Sequence, residues 1–128
     1  MSTTKVKLTA ESTAKLLLTN AHLYSEEKGK EVSRFRVSKA SVRRISGYGN
    51  LSPKFLGSLK EELLELNWLL FDLTDAEFGV FLIAKAGSWV RLGSNRVMAY
   101  RRSDSPEATI AELFDECFPP EEVEDIDD

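Results

Sequence analysis

The residues best suited to chemistry are cations. Between positions 28 and 60 lie Lys28, Lys30, Arg34, Arg36, Lys39, Arg43, Arg44, Lys54 and Lys60, against a single acid, Glu31. Such a stretch releases counterions from a polyanion and accelerates encounter with it; its plain alternative is a solvated basic surface neutralised elsewhere in the chain. The other reactive types are isolated. His22 is the only histidine and Cys117 the only cysteine, so a zinc site has no ligand set. No base is spaced to activate Cys117, which follows an apolar helical stripe and is expected in the core. Gly47-Tyr48-Gly49 is not followed by Gly-Lys-Ser/Thr, so it is not a phosphate-cradling loop, and Tyr48 is expected as a packed turn aromatic. Glu61, Glu62 and Glu65 read as a solvated helix face, and Trp68 and Trp89 as core residues. With no nucleophile, base and orienting group brought together, the expectation is a non-catalytic protein without cofactor or metal.

Charge is distributed unevenly along the 128 residues. The net charge of −4 averages two regions: positions 1–103 hold all 17 Lys and Arg against 10 acids, a balance of +7, and positions 104–128 hold 11 acids and no base. At 42% hydrophobic the chain can fill the core of one ordinary domain. Its apolar runs, such as Trp68 to Phe71 and Val80 to Ala84, fall far short of the ~20 residues of a membrane span. The opening Met-Ser-Thr-Thr-Lys has no apolar block, and the lone cysteine fits a reducing compartment, so a cytoplasmic location is expected.

Periodicity supplies the elements that must position the cations. Thr9 caps a helix to about Tyr24, with Ala10, Ala14, Leu17, Ala21 and Tyr24 on one stripe and a charged break at 26–30. Val32 to Val37 alternates as a short strand with Arg34 and Arg36 on its wet side. Ser38 caps a short helix that Gly47 ends, with Val42 and Ile45 inward and Lys39, Arg43 and Arg44 outward. Ser52 caps the next helix, Pro53 takes its first position, and it runs to about Leu66, burying Phe55, Leu56, Leu59, Leu63 and Leu66. Its far face shows Lys54, Gly57, Ser58, Glu61 and Glu65, and Asn67 closes it. Trp68–Leu73 and Phe78–Ala84 then form a hairpin across Thr74–Glu77. Arg96 to Tyr100 alternates weakly, as a further strand would. Ser105-Pro106-Glu107 opens a last helix with Ile110, Leu113, Phe114 and Cys117 on one face, stopped by Pro119-Pro120.

In this order, with Phe35–Val37 as a small strand, 38–46 and 52–66 as a helix pair across the turn 47–51, and 68–84 as a hairpin, the chain resembles a winged-helix domain. It is also similar to small proteins of bacterial plasmids and integrative elements through Phe-Arg-Val-Ser-Lys-Ala-Ser-Val-Arg-Arg-Ile-Ser-Gly, Leu-Ser-Pro-Lys-Phe-Leu and Leu-Leu-Glu-Leu-Asn-Trp; the likeness covers residues 31–97. The resemblance implies an α+β fold: one winged-helix domain over 1–118, a three-helix core with a hairpin wing and an added C-terminal helix, then a disordered acidic tail at 119–128. It implies duplex-DNA binding by a small transcriptional regulator or mobile-element accessory factor, with a possible homodimer. Ser52, Lys54 and Ser58 would reach base edges, with Gly57 and Glu61 beside them, while Arg34, Arg36, Lys39, Arg43 and Arg44 would hold phosphates. Three features depart from that pattern: the wing tip, Asp75-Ala76-Glu77, is acidic; the second helix turns acidic from Glu61; and winged helices also serve as protein-interaction modules without DNA contact. The acidic end is read as a solubilising tail, with a second reading in which it folds back on the basic surface and competes with DNA.

Overall fold

The computed structural model describes residues 6–121. By its contacts the chain divides into two units, 1–89 and 90–128. The class is α+β: among the described residues there are six helices and one three-stranded antiparallel sheet.

In the first unit, α1 spans Ala10–Lys28. The Thr9 side chain accepts from the Ser12 amide to start it, and Gly29, at φ 64°, closes it in the left-handed region. It outruns the expected end at Tyr24. Glu26, Glu27 and Lys28 are good helix formers, and His22 reaches Glu26 one turn on, at 2.7 Å. Burial along it is confined to Thr13, Ala14 and Leu17, so Tyr24, expected on the packed stripe, is exposed.

The strand β1 (Arg34–Ser38) runs directly into α2 (Lys39–Ser46) through Ser38, whose hydroxyl accepts from the Ser41 amide. Helix α3 (Pro53–Glu65) begins the same way, with Ser52 accepting from the Phe55 amide and Pro53 in its first turn. Asn67, at φ 69°, turns the chain from α3 into β2 (Trp68–Asp72), and β3 (Glu77–Leu82) returns antiparallel to it. The second apolar run was expected as strand to Ala84; instead Ile83–Ala86 forms the short helix α4. Leu56 is only half-buried and Leu66 exposed, so the buried face of α3 reduces to Phe55, Leu59 and Leu63.

The sheet order is β1-β3-β2, so β3 is central although it comes last. Partners across an antiparallel ladder share a face. Phe35, Val80 and Leu70 form one row and Val37 and Phe78 another, and this side packs on Ala14, Leu17, Val42, Phe55, Leu59 and Leu63. Phe78, Leu59 and Leu63 are fully buried. Two buried hydroxyls are satisfied locally: Thr13 donates to the Thr9 carbonyl at 2.9 Å, and Ser46 donates to the Arg43 carbonyl and accepts from the Tyr48 amide.

The second unit contains α5 (Asn95–Arg101) and α6 (Pro106–Cys117). The weak alternation at 96–100 is therefore helix, in keeping with the helix propensity of Arg96, Met98, Ala99 and Arg101. Cys117 is exposed, contrary to its expected place in a core, because α6 buries none of its residues. Pro119–Glu121 has no regular structure, and the remainder of the expected acidic tail, 122–128, lies outside the described residues.

Two substitutions test this architecture. Leu59→Ala leaves a void at a fully buried position and is expected to lower unfolding stability by about 2–5 kcal/mol. Gly47→Ala forces a Cβ into a φ of 84° and within 3.2 Å of the Val6 carbonyl oxygen. It is expected to cost about 1–2 kcal/mol, read as a lower urea midpoint with unchanged slope.

Candidate functional site

The α2–turn–α3 segment positions most of the cations singled out from the sequence. Because Ser38 ends β1 and caps α2 at once, Lys39 is fixed at the start of the helix. Its backbone amide donates to the Ala76 carbonyl at 2.8 Å, and its ammonium lies 5.5 Å from the centre of the Phe78 ring. Lys39 thus sits beside the hairpin turn, half-buried along its stem. Arg43 and Arg44 are exposed in the last turn of α2, where cations complement the helix dipole. With Gly47, Tyr48 and Gly49 they line a small hollow of about 240 Å³.

Tyr48 anchors that hollow. Its ring packs on Phe55 at 4.5 Å, in line with its expected role in the turn, and the Lys7 ammonium lies 5.2 Å from the centre of the same ring. The chain at Val6–Leu8 is held there by a 2.8 Å bond from the Leu8 amide to the Ser46 carbonyl. Lys7 therefore lies over the ring of the same tyrosine whose hollow Arg43 and Arg44 line. No periodicity links Lys7 to α2, so only the fold brings this residue into the cluster.

Helix α3 presents Lys54, Gly57, Ser58 and Glu61 outward, spaced so that Lys54, Ser58 and Glu61 share one exposed stripe. A Cβ at Gly57 would meet open space, so the backbone is approachable there. Ser52 has a different job: its side-chain oxygen already accepts the Phe55 amide at 3.1 Å.

Arg34 and Arg36 alternate with Phe35 and Val37 along β1 and so stand on the opposite face of the sheet from the core. The basic run of the sequence is thereby split. Arg36 lies at the sheet edge, 3.8 Å from Glu77, where it also lines a groove with Arg44 and Leu16 of α1. Arg34 makes no ion pair among the described residues.

The outer sheet face also carries residues that sequence reasoning missed. Opposite Arg36 across the ladder come Gly79 and then Phe71; opposite Arg34 come Phe81 and then Leu69. Phe71 and Phe81 pack edge to face at 6.0 Å, and Phe81 meets Trp89 at 5.3 Å. Trp89, expected in the core, is 57% exposed. Together with the two arginines these rings bound an open groove of about 480 Å³. Both hairpin strands are nearly continuous apolar runs, so alternation could not reveal that one set of rings faces outward.

The remaining titratable groups are peripheral. The Lys15 ammonium, hydrogen-bonded to Glu11 at 2.9 Å, is held above its ordinary pKa by that bond and by the charge of the same carboxylate. His22 is exposed on α1. Among the described residues no three His, Cys, Asp or Glu side chains converge, and no helix is long and apolar enough to cross a membrane. No protein-family model, curated protein or solved structure matches the chain.

The two serines of α3 are separable experimentally. Ser52→Ala removes a cap and is expected to lower stability by about 1 kcal/mol in thermal or urea unfolding. Ser58→Ala, on the exposed stripe, is expected to change it by less than about 0.5 kcal/mol.

Proposed function

We propose that the first unit is a winged helix-turn-helix domain that binds duplex DNA, in a small non-catalytic regulator or accessory factor. The observation that supports this most is the exposed α3 stripe beginning at Lys54, with Arg43 and Arg44 of α2 lining a hollow beside Tyr48 and Lys7 lying over the Tyr48 ring. The order β1-α2-α3-β2-β3, with β3 central in the sheet, suits that fold.

In this reading the start of α3 enters the major groove. Lys54 donates to guanine acceptors, Ser58 to either partner of a pair, and Gly57 lets the backbone approach closely. Lys39, Arg43, Arg44 and Lys7 hold phosphates and set the register. The acids confine the contact to the first turns of the helix: Glu61, Glu62 and Glu65 follow on α3, and Asp75 occupies the hairpin turn. Arg34 and Arg36, which the resemblance assigns to phosphates, stand on the outer sheet face and are left out of this contact set. The exposed aromatic groove favours a second reading, in which the same fold is a protein-interaction module whose sheet face meets a partner.

Fluorescence anisotropy with random-sequence duplex at ~50 and ~200 mM salt tests the first reading. Affinity is expected to fall by orders of magnitude across that range. Arg43→Ala combined with Arg44→Ala is expected to weaken all sequences alike and to reduce the slope of log affinity against log salt by roughly 1.8. Absence of binding at ~50 mM salt transfers the helical surface to the protein-interaction reading.

A further inference from the structure

We propose that the outer face of the sheet is a second site, one that binds single-stranded nucleic acid by base stacking. It is distinct from the α2–α3 surface and does not rest on the duplex-binding reading.

Three aromatic rings stand in succession on this face, Phe71 to Phe81 at 6.0 Å and Phe81 to Trp89 at 5.3 Å. A row of rings at such separations offers successive platforms for flat apolar groups. The groove they bound, about 480 Å³, has no acidic residue in its lining, and its only charges are Arg34 and Arg36. Two residues apart on one strand face, Arg34 and Arg36 leave the backbone about 6.5 Å apart along the rim. The ligand that fits is thus anionic at regular intervals along one edge and carries stackable planar groups along the other. An extended polynucleotide has that chemistry, and stacking on aromatic rings beside a basic rail is how sequence-tolerant single-strand sites work. A duplex does not fit, because its bases are already stacked on each other and present only their edges.

Gly79 is what keeps the platform open. Any Cβ there would lie 2.3 Å from the Phe71 ring, so only glycine lets that ring rest over the sheet. The cations at the rim are also available. Arg34 has no ion pair among the described residues, and Arg36 is held by Glu77 only at 3.8 Å, the long end for an exposed ion pair.

An acidic peptide shares the charge but not the repeat of planar groups, and the sheet face has few hydrogen-bonding side chains with which to hold a peptide backbone. The planar repeat decides for nucleic acid.

The test uses the full chain and a fluorescein-labelled 20-nucleotide oligothymidylate at ~50 mM salt, read by anisotropy and by quenching of tryptophan emission. A Trp68→Phe background leaves Trp89 as the only tryptophan reporter. Binding with quenching is expected. Phe71→Ala and Trp89→Ala are each expected to weaken it roughly 5- to 100-fold, with thermal unfolding still cooperative and midpoints lowered by no more than roughly 10 °C, so that the loss is read on folded protein. Arg34→Ala is expected to lower the salt slope by about 0.7. The same variants are expected to leave duplex affinity unchanged, and Arg43→Ala with Arg44→Ala to leave oligothymidylate affinity within about threefold, so the two sites fail independently. Absence of oligothymidylate binding overturns the proposal. So does binding that the Phe71 and Trp89 variants leave intact, which would place the strand on the helical cations. Capture of an acidic aromatic peptide in place of the oligonucleotide would assign the groove to a protein partner and likewise overturn it.

Discussion

Everything in the first unit hangs on the alternation of β3. As the central strand it holds both ladders, and its period of two sends Phe78 and Val80 into the core and Gly79 and Phe81 to the outside. A slip by one residue would put Gly79 where Phe78 fills the space against α1 and α3, and would bury the wrong set. The fully buried Phe78 and Val80 therefore lock the register through apolar burial. The outer face follows passively: once Phe78 is inside, Phe81 must lie outside, and the ladder places Arg34, Arg36 and Phe71 beside it.

The parts of this arrangement that could be read in advance are the ones encoded locally. Thr9, Ser38 and Ser52 cap the helices they were expected to cap, because a side-chain oxygen and the amide three residues on need no distant partner. Gly47 and Asn67 sit at positive φ for the same reason. The chain order of β1, α2, α3 and the hairpin followed from those stops. Pairing did not. Nothing in Arg34-Phe35-Arg36-Val37 announces that its neighbour will be β3, more than forty positions away, and an edge strand in isolation shows only which of its own residues are wet. The apolar runs of the hairpin were harder still, since Trp68-Leu-Leu-Phe71 has no polar phase with which to tell inside from outside. Trp89 was misplaced because apolar neighbours such as Val90 do not by themselves make a core, and Cys117 because a helical stripe signals a core only when something packs against it.

The same contrast explains the cations. Along the chain, 28–60 is one basic block. In the fold, two different periods operate on it: the strand turns Arg34 and Arg36 to the outer sheet face, while the helix turns Lys39, Arg43 and Arg44 to the α2 surface. Linear charge density overstates any single surface and understates the number of surfaces. Lys7 shows the reverse error. It lies outside the block in sequence, yet the backbone bond of Leu8 to Ser46 brings it over Tyr48 and adds it to the α2 cluster.

Two cationic surfaces on a unit this small interact through the field before they interact through contact. At ordinary ionic strength the Debye length is about 8–10 Å, shorter than the width of a sheet with its covering helices. Charges farther apart than that length are largely screened from each other, and Arg36, which lines one groove with Arg44 at the β1 edge, is where the two cationic surfaces meet. Their mechanical coupling is also weak. Phe71 and Trp89 contribute to the outer face without belonging to the buried set that holds the sheet on α1 and α3, and changes at sites with no shared partners add almost independently. The core, through β3, is the one structure both faces share. A substitution there, at Phe78 or Val80, shifts both surfaces together, whereas one at Phe71 or at Arg43 moves only its own.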